Sequence, residues 1–397
     1  VPRFEPFQAL RYRRNIELHD VCSPPYDVLS DADRLALATR HEDNIVHIDM
    51  PVSAAGNAYE HAASILNQWI SDGVLVRDET PSFTLYRMRF TDSTGKPRNV
   101  VGVIGALEVV DEGAGGVLPH ERTTPKAKTD RLELTRATDA NLSPVWGLSL
   151  AEGLSALLTE PAELLGEITD DLGVVHSVER VTDTNRITQI SAAITAHPVV
   201  IADGHHRYAI SRTYRDETRE RTNSKSTGAE LTMTYINELI DEQLSVAAIH
   251  RLYEGITYKQ LAAALSPFFT INDADSVGPT TLSQMNERGS LCLVAKTGRT
   301  HWLTPIAERF TGVRNLDSAY LEHALSSVQH EVRYQHGVTE VQHELQTSDA
   351  TAAILIRPVS VAEIQRTANE GLLMPPKSTF FSPKLRTGFV LREMKTR

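Results

Sequence analysis

The chain is poor in cysteine: Cys22 and Cys292 stand alone, far apart in sequence. Neither belongs to a Cys-x-x-Cys pair, so a thiolate zinc site has no ligands, and two isolated thiols suit a reducing compartment. Long apolar runs are lacking too. The most apolar stretch, Val100 to Val110, is too short to span a bilayer and is broken by Glu108. Val1-Pro2-Arg3-Phe4 shows no charged segment leading into an apolar one, so no signal peptide is expected and the chain reads as cytoplasmic. Positive charge is short as well: 40 Lys and Arg face 51 Asp and Glu, a net charge of −11. That balance argues against broad binding to nucleic-acid phosphates and against attraction to an anionic membrane surface.

Several motifs are also missing. No Gly-x-x-x-x-Gly-Lys-[Ser/Thr] loop occurs, and Gly102 to Glu108 lacks the dinucleotide-binding glycine pattern. There is no His-Glu-x-x-His and no Gly-x-Ser-x-Gly elbow. P-loop NTPase, dehydrogenase, zincin and α/β-hydrolase readings therefore lose their signatures.

What is present is an ordinary globular composition, 41% hydrophobic and 23% charged, over 397 residues. That length predicts two or three subdomains. We expect an N-terminal α/β subdomain over 1–115, a central one over 116–255 and a C-terminal α/β one over 256–397. Ser30 precedes a helical pattern as an N-cap, and Ala58 to Ile70 has helical apolar spacing. Ser82 to Phe90 alternates as a strand, and a turn at Asp92 to Pro97 joins it to Asn99 to Val110 as a hairpin. Leu244 to Leu252 reads as one strand, and Val361 to Gly371 as a helix ending at a glycine. Strands and helices mix without strict alternation, which predicts an α+β or mixed α/β fold.

The most informative stretch is Val199 to Ser211, "VVIADGHHRYAIS". A buried strand hands over to a helix through Asp203-Gly204-His205-His206-Arg207. A helix N-terminus presents unpaired N–H groups and the positive end of its dipole, an arrangement that binds phosphate. Gly204 lets a ligand approach the backbone, and Arg207 offers a planar fork. His205 and His206 can donate hydrogen bonds or move a proton near neutral pH. Asp203 can cap the helix, hold a histidine, accept a hydroxyl proton or ligate magnesium. The bland alternative is a simple cap beside surface histidines.

Two further clusters suit an anionic ligand. A glycine-led segment carries His120, Glu121, Arg122, Lys126, Lys128 and Arg131, with Glu121 a carboxylate among cations. It reads as a lid or as a solvated basic loop. Near the C-terminus Lys377, Ser378 and Thr379 follow two prolines, and Tyr26 follows another Pro-Pro pair. These read as substrate contacts or as rigid turns.

"DGHHR" after an apolar strand resembles the phosphate-contacting motif of the ParB/sulfiredoxin superfamily, most closely its archaeal free-serine kinases. Over nearly the whole chain the sequence resembles the family catalogued as domain of unknown function number 1015. That likeness is carried by Pro6 to Tyr12, Ser23 to Ser30, Asn44 to Pro51, Leu118 to Trp146, Asp203 to Ala209 and Met374 to Gly388. The resemblance implies a ParB/sulfiredoxin-like core with additional α/β subdomains.

The chemistry of the residues then points to a nucleotide-dependent phosphotransferase on a small hydroxylated metabolite, with free L-serine or phosphoserine favoured by the resemblance. Gly204, His206, Arg207, His120, Arg122 and Lys126 would hold phosphates. Asp203 or Glu121 would take the proton, with His205 beside them, and Mg²⁺ and ADP or ATP would take part. A nucleotide-binding switch or DNA-associated regulator of ParB type, and a phosphoester hydrolase (phosphatase), are the competing readings.

Overall fold

The predicted hairpin is the centre of the larger sheet. In a computed structural model, which describes residues 1–52, 56–92, 95–119, 128–375 and 377–395, Phe83–Thr91 pairs antiparallel with Pro97–Glu108, Leu85 opposite Val103. The alternation expected of a half-buried strand is modified: Phe83 to Tyr86 are all buried, because both faces of this sheet are covered over that stretch.

Nine strands form the sheet. Its order is Val117–Pro119, Val199–Asp203, Val145–Ser149, Leu231–Glu238, Pro97–Glu108, Phe83–Thr91, Val175–Val181 and Glu163–Thr169, with Phe4–Glu5 added beside Pro97–Glu108. Val199–Asp203 runs parallel to Val117–Pro119, and Leu231–Glu238 runs parallel to Val145–Ser149. The other pairings in this sheet are antiparallel. With its helices this is the mixed α/β fold read from the sequence. Strands from both sides of residue 115 share the sheet. Its core gathers Phe4, Leu85, Val103, Ile190, Val199 and Ile236. The helices Thr184–Thr195 and His205–Thr222 contribute Ile190, Ile194 and Tyr208 to it.

Local signals act where they were read. Ser30 Oγ accepts from Asp33 N, and the Asp33 carboxylate accepts from Ser30 N, a capping box that starts Asp31–Arg40. Gly371, at φ 64°, closes Val361–Glu370. One expected strand divides. Leu244 to Leu252 becomes Val246–Ala247, which pairs with Phe380–Phe381, and Ile249–Glu254, which enters a separate six-stranded sheet.

The chain makes two compact units. One comprises Val1–Ser245 and Pro383–Arg397, the other Val246–Ser382. The second holds an antiparallel sheet ordered Phe269–Asp273, Thr300–Pro305, Leu291–Ala295, Ala352–Leu355, Ile249–Glu254 and Glu331–His336. Among the described residues no helix is long and apolar enough to cross a membrane.

In the first unit the Tyr235 ring lies against Gly102. A Cβ added there would meet Tyr235 Cζ at 2.3 Å. The ring cannot move freely, because Trp146 and Tyr86 pack edge-on at 5.4 and 5.8 Å. Gly102→Ala is predicted to destabilise this unit by about 1–3 kcal/mol through overpacking. A urea titration of the full chain followed by tyrosine and tryptophan signals checks this. An unchanged midpoint would mean that the ring yields.

Candidate functional site

Val199 to Ala202 are buried, so the strand Val199–Asp203 delivers Asp203 to the sheet's end with its side chain 25% exposed. Gly204 then turns the chain at φ 83°, ψ 28°, a left-handed conformation that favours glycine. The helix His205–Thr222 follows with no side-chain cap at its start. Asp203 does not cap it: Asp203 Oδ1 accepts from Gly204 N at 2.9 Å, one residue too early. The bland reading of a capping aspartate therefore does not describe this turn.

Asp203 instead faces two cations. Lys384 Nζ stands 3.0 Å from Asp203 Oδ2, and Arg207 Nη2 3.5 Å from the same oxygen. Burial pushes the carboxyl group's pKa up, but Lys384 and Arg207, with the Gly204 N–H, outweigh it and hold Asp203 well below the usual carboxylate range. Arg207 lies folded over Gly204, where an added Cβ would come within 3.0 Å of Nε. Its Nη1 donates to the Pro144 carbonyl. The fork expected to face an anion is thus partly engaged inside the fold, with the side chain 13% exposed.

Arg207 also lines a cleft of about 480 Å³, counting the space open to solvent, together with Tyr26, Asp49 and Arg131. The Arg131 guanidinium lies 4.2 Å over the centre of the Tyr26 ring. Arg131 Nη1 donates to Asp49 O at 2.6 Å and Oδ1 at 3.2 Å, and Nε donates to Asp130 Oδ2 at 2.9 Å. Asp49 is 2% exposed, and its Oδ2 is buried with no hydrogen-bond partner among the described residues. Burial raises the Asp49 pKa, with Arg131 and Arg207 opposing. The same burial raises that of the Tyr26 phenol.

Of the residues singled out in sequence, Asp203, Gly204 and Arg207 form one turn, and Tyr26 joins Arg207 at the cleft. His205 is buried and His206 half-buried on the first turn of the helix. His120, Glu121, Arg122 and Lys126 lie outside the described residues. The residues on either side of that segment are described. Pro119 pairs with Ile201, two positions before Asp203, and Arg131 lines the cleft.

Lys377, Ser378 and Thr379 belong to the second unit. Lys377 is exposed at φ 56°. The Ser378 hydroxyl, 1% exposed, donates to the Pro375 carbonyl at 2.7 Å and lies 3.1 Å from Ser318 Oγ. Thr379 is also buried.

Sequence reading gave no role to Asp49 or Lys384. Asp49 carried one signal, an acid ending the otherwise apolar run Ile45 to Ile48, interrupted only by His47. Lys384 carried none beyond its basic tail, since its partner is 181 positions away.

The family model described as "Protein of unknown function (DUF1015)" matches residues 4–319. The chain belongs to that family. A comparison with curated proteins finds no match. Among solved structures, this DUF1015 member is similar to a free serine kinase in complex with AMP (12% identity, TM-score 0.38, 70% of this chain and 88% of that one). It is similar to SbnI with C-terminal truncation from Staphylococcus aureus (12%, 0.40, 72% and 85%). A third is a conserved hypothetical protein from Pyrococcus furiosus (12%, 0.38, 70% and 92%).

Lys384→Met tests the ion pairing. Because the folded pKa of Asp203 is depressed, its stabilising contribution is present above its unfolded value, about 3.9, and fades as pH falls below that. The variant is predicted to be less stable by about 1–2 kcal/mol at pH 7, at the low end because both side chains retain some solvent. The gap should narrow as pH falls from about 4 to about 2. Urea midpoints for both proteins across that range are the measurement, and a gap independent of pH would remove the electrostatic account.

Proposed function

We propose that this protein is a nucleotide-dependent phosphotransferase acting on a small hydroxylated metabolite, with free L-serine the favoured acceptor. The observation that carries the reading is the glycine-opened start of an 18-residue helix with Lys384 and Arg207 beside it. Phosphoryl transfer asks for positioning and charge neutralisation, and this turn supplies both kinds of group. The preference for serine, the ParB/sulfiredoxin-like core and the part given to ADP or ATP rest on the DGHHR resemblance.

In this reading Gly204, His206, Arg207 and Lys384 hold phosphate oxygens. Asp203 is a poor proton acceptor, because two cations stabilise its ionised form. Its chemistry suits Mg²⁺ arriving with the nucleotide phosphates, which needs only one or two protein carboxylates. Such an ion would neutralise phosphate charge. The proton of the attacking hydroxyl then falls to Glu121, with His205 at hand.

The test is turnover. The full chain incubated with L-serine, Mg²⁺ and ADP or ATP should form phosphoserine, and the reverse mixture should release serine. Arg207→Ala should weaken phosphate binding by about 1.5–3 kcal/mol, the range for hydrogen bonds to charged groups. Glu121→Gln should suppress turnover more than it suppresses binding. Absence of turnover in both directions, with tight CTP or duplex DNA binding, would favour a ParB-type switch. Nucleotide-independent release of phosphate would favour a phosphatase.

A further inference from the structure

Three donors meet at the Asp203 turn, and one carboxylate takes all of them. Gly204 N donates to Asp203 Oδ1 at 2.9 Å. Lys384 Nζ stands 3.0 Å from Oδ2, and Arg207 Nη2 3.5 Å from the same oxygen. A backbone N–H at a helix start, an ammonium and a guanidinium are the groups that a phosphate at this turn would use. The backbone aims the carboxylate at them. Where Val199–Asp203 pairs with Val145–Ser149, Ile201 lies opposite Gly147 and Asp203 opposite Trp146, which leaves Ala202 as an extra residue. Such a bulge re-aims the side chain beside it. A phosphate entering next to Asp203 would share both cations with it and meet a like charge at near contact. Both cations are less than one-fifth exposed, so water screens that repulsion poorly. Asp203 itself has a way out, because its side chain is 25% exposed.

We propose that Asp203 is an internal anion standing where the ligand's phosphate goes, an autoinhibitory contact that the phosphate displaces by turning the carboxylate out to solvent. This rests on the reading of the turn as a phosphate site, not on the transfer reaction. Lys384 and Arg207 share one oxygen, Oδ2, so its departure releases both from the carboxylate together. Uptake of a phosphate is therefore an exchange of one anion for another at the same donors. The consequence is the reverse of what an acid that helps to hold the ligand would give: removing Asp203 strengthens phosphate binding.

Binding of inorganic phosphate in metal-free buffer decides the matter, because no metal ion can then bridge the acid to the anion. Calorimetry on the full chain is expected to show Asp203→Asn binding phosphate at least about tenfold more tightly than the unmodified chain, the lower end for hydrogen bonds to charged groups. Adding Lys384→Met should remove that gain, which assigns it to the released lysine. Equal or weaker binding by Asp203→Asn, or a gain that survives Lys384→Met, would overturn the inference. A crystal of the unmodified chain soaked in phosphate gives a measurement that needs no variant to fold. The anion should lie on Gly204 N and Lys384 Nζ with the Asp203 carboxylate turned away from both. Phosphate seated there while Asp203 keeps its contact with Lys384, or a turn that stays empty in a soak of either protein, would overturn it as well. An anion seen at the turn in the Asp203→Asn crystal alone would support it. Phosphate bound by neither protein would sink the phosphate-site reading along with this one, whereas equal binding by both would sink this inference alone.

Discussion

Asp203 stays ionised at the end of a strand whose four preceding residues are buried, and it does so through Lys384. The cation comes from the last part of the chain, beyond the whole of Val246–Ser382, which forms the other unit. The tail must therefore be fixed before the turn can be charged. Leu10 and Leu391 exchange backbone bonds at 2.9 Å in each direction. Ser23 and Thr387 do the same at 3.0 and 2.8 Å. Arg392 donates to Asn141, to Leu231 O and to Gly228 O. Arg386 N donates to the buried Tyr86 hydroxyl at 3.0 Å. These bonds tie the tail to the N-terminal segment, to the sheet and to the strand beside the cleft. The site is thus a property of the complete first unit.

Gly204 is the second constraint. A side chain there would suffer both a left-handed backbone and a contact with Arg207. The Arg207 guanidinium lies close against the space a Cβ would take, and from there reaches both the Pro144 carbonyl and Asp203. The glycine thereby sets where the arginine points as well as how closely a ligand can approach. An arginine held from two directions loses less conformational entropy on meeting a phosphate than one drawn in from solvent.

What was legible in the sequence was local. The Ser30 cap, the Gly371 stop and the strand–Gly204–helix transition each act over a few residues, and each appears where its pattern lies. Glu163–Thr169 and Glu331–His336 escaped because they are edge strands whose residues are mostly exposed, so no apolar alternation marks them. The splitting of Leu244 to Leu252 escaped because partner choice, not composition, sends its halves to different sheets. The candidate site was half legible for the same reason. Asp203, Gly204 and Arg207 declare themselves within one turn, whereas the Lys384 and Asp49 contacts depend on packing between distant segments.

The net charge of −11 sets how an anion can be recognised at such a site. A phosphate approaches a molecule that repels it overall, so long-range steering gives no help. At physiological ionic strength the Debye length is about 8 Å, and exposed charges farther away than that are largely screened. Only groups in near contact then decide binding. In the phosphotransfer reading proposed above, those are Lys384 and Arg207, both less than one-fifth exposed and both already aligned by Asp203. Asp203 weakens their pull on a ligand by neutralising part of their charge. It also keeps them in place before the ligand arrives, which removes the reorganisation that two flexible surface cations would require.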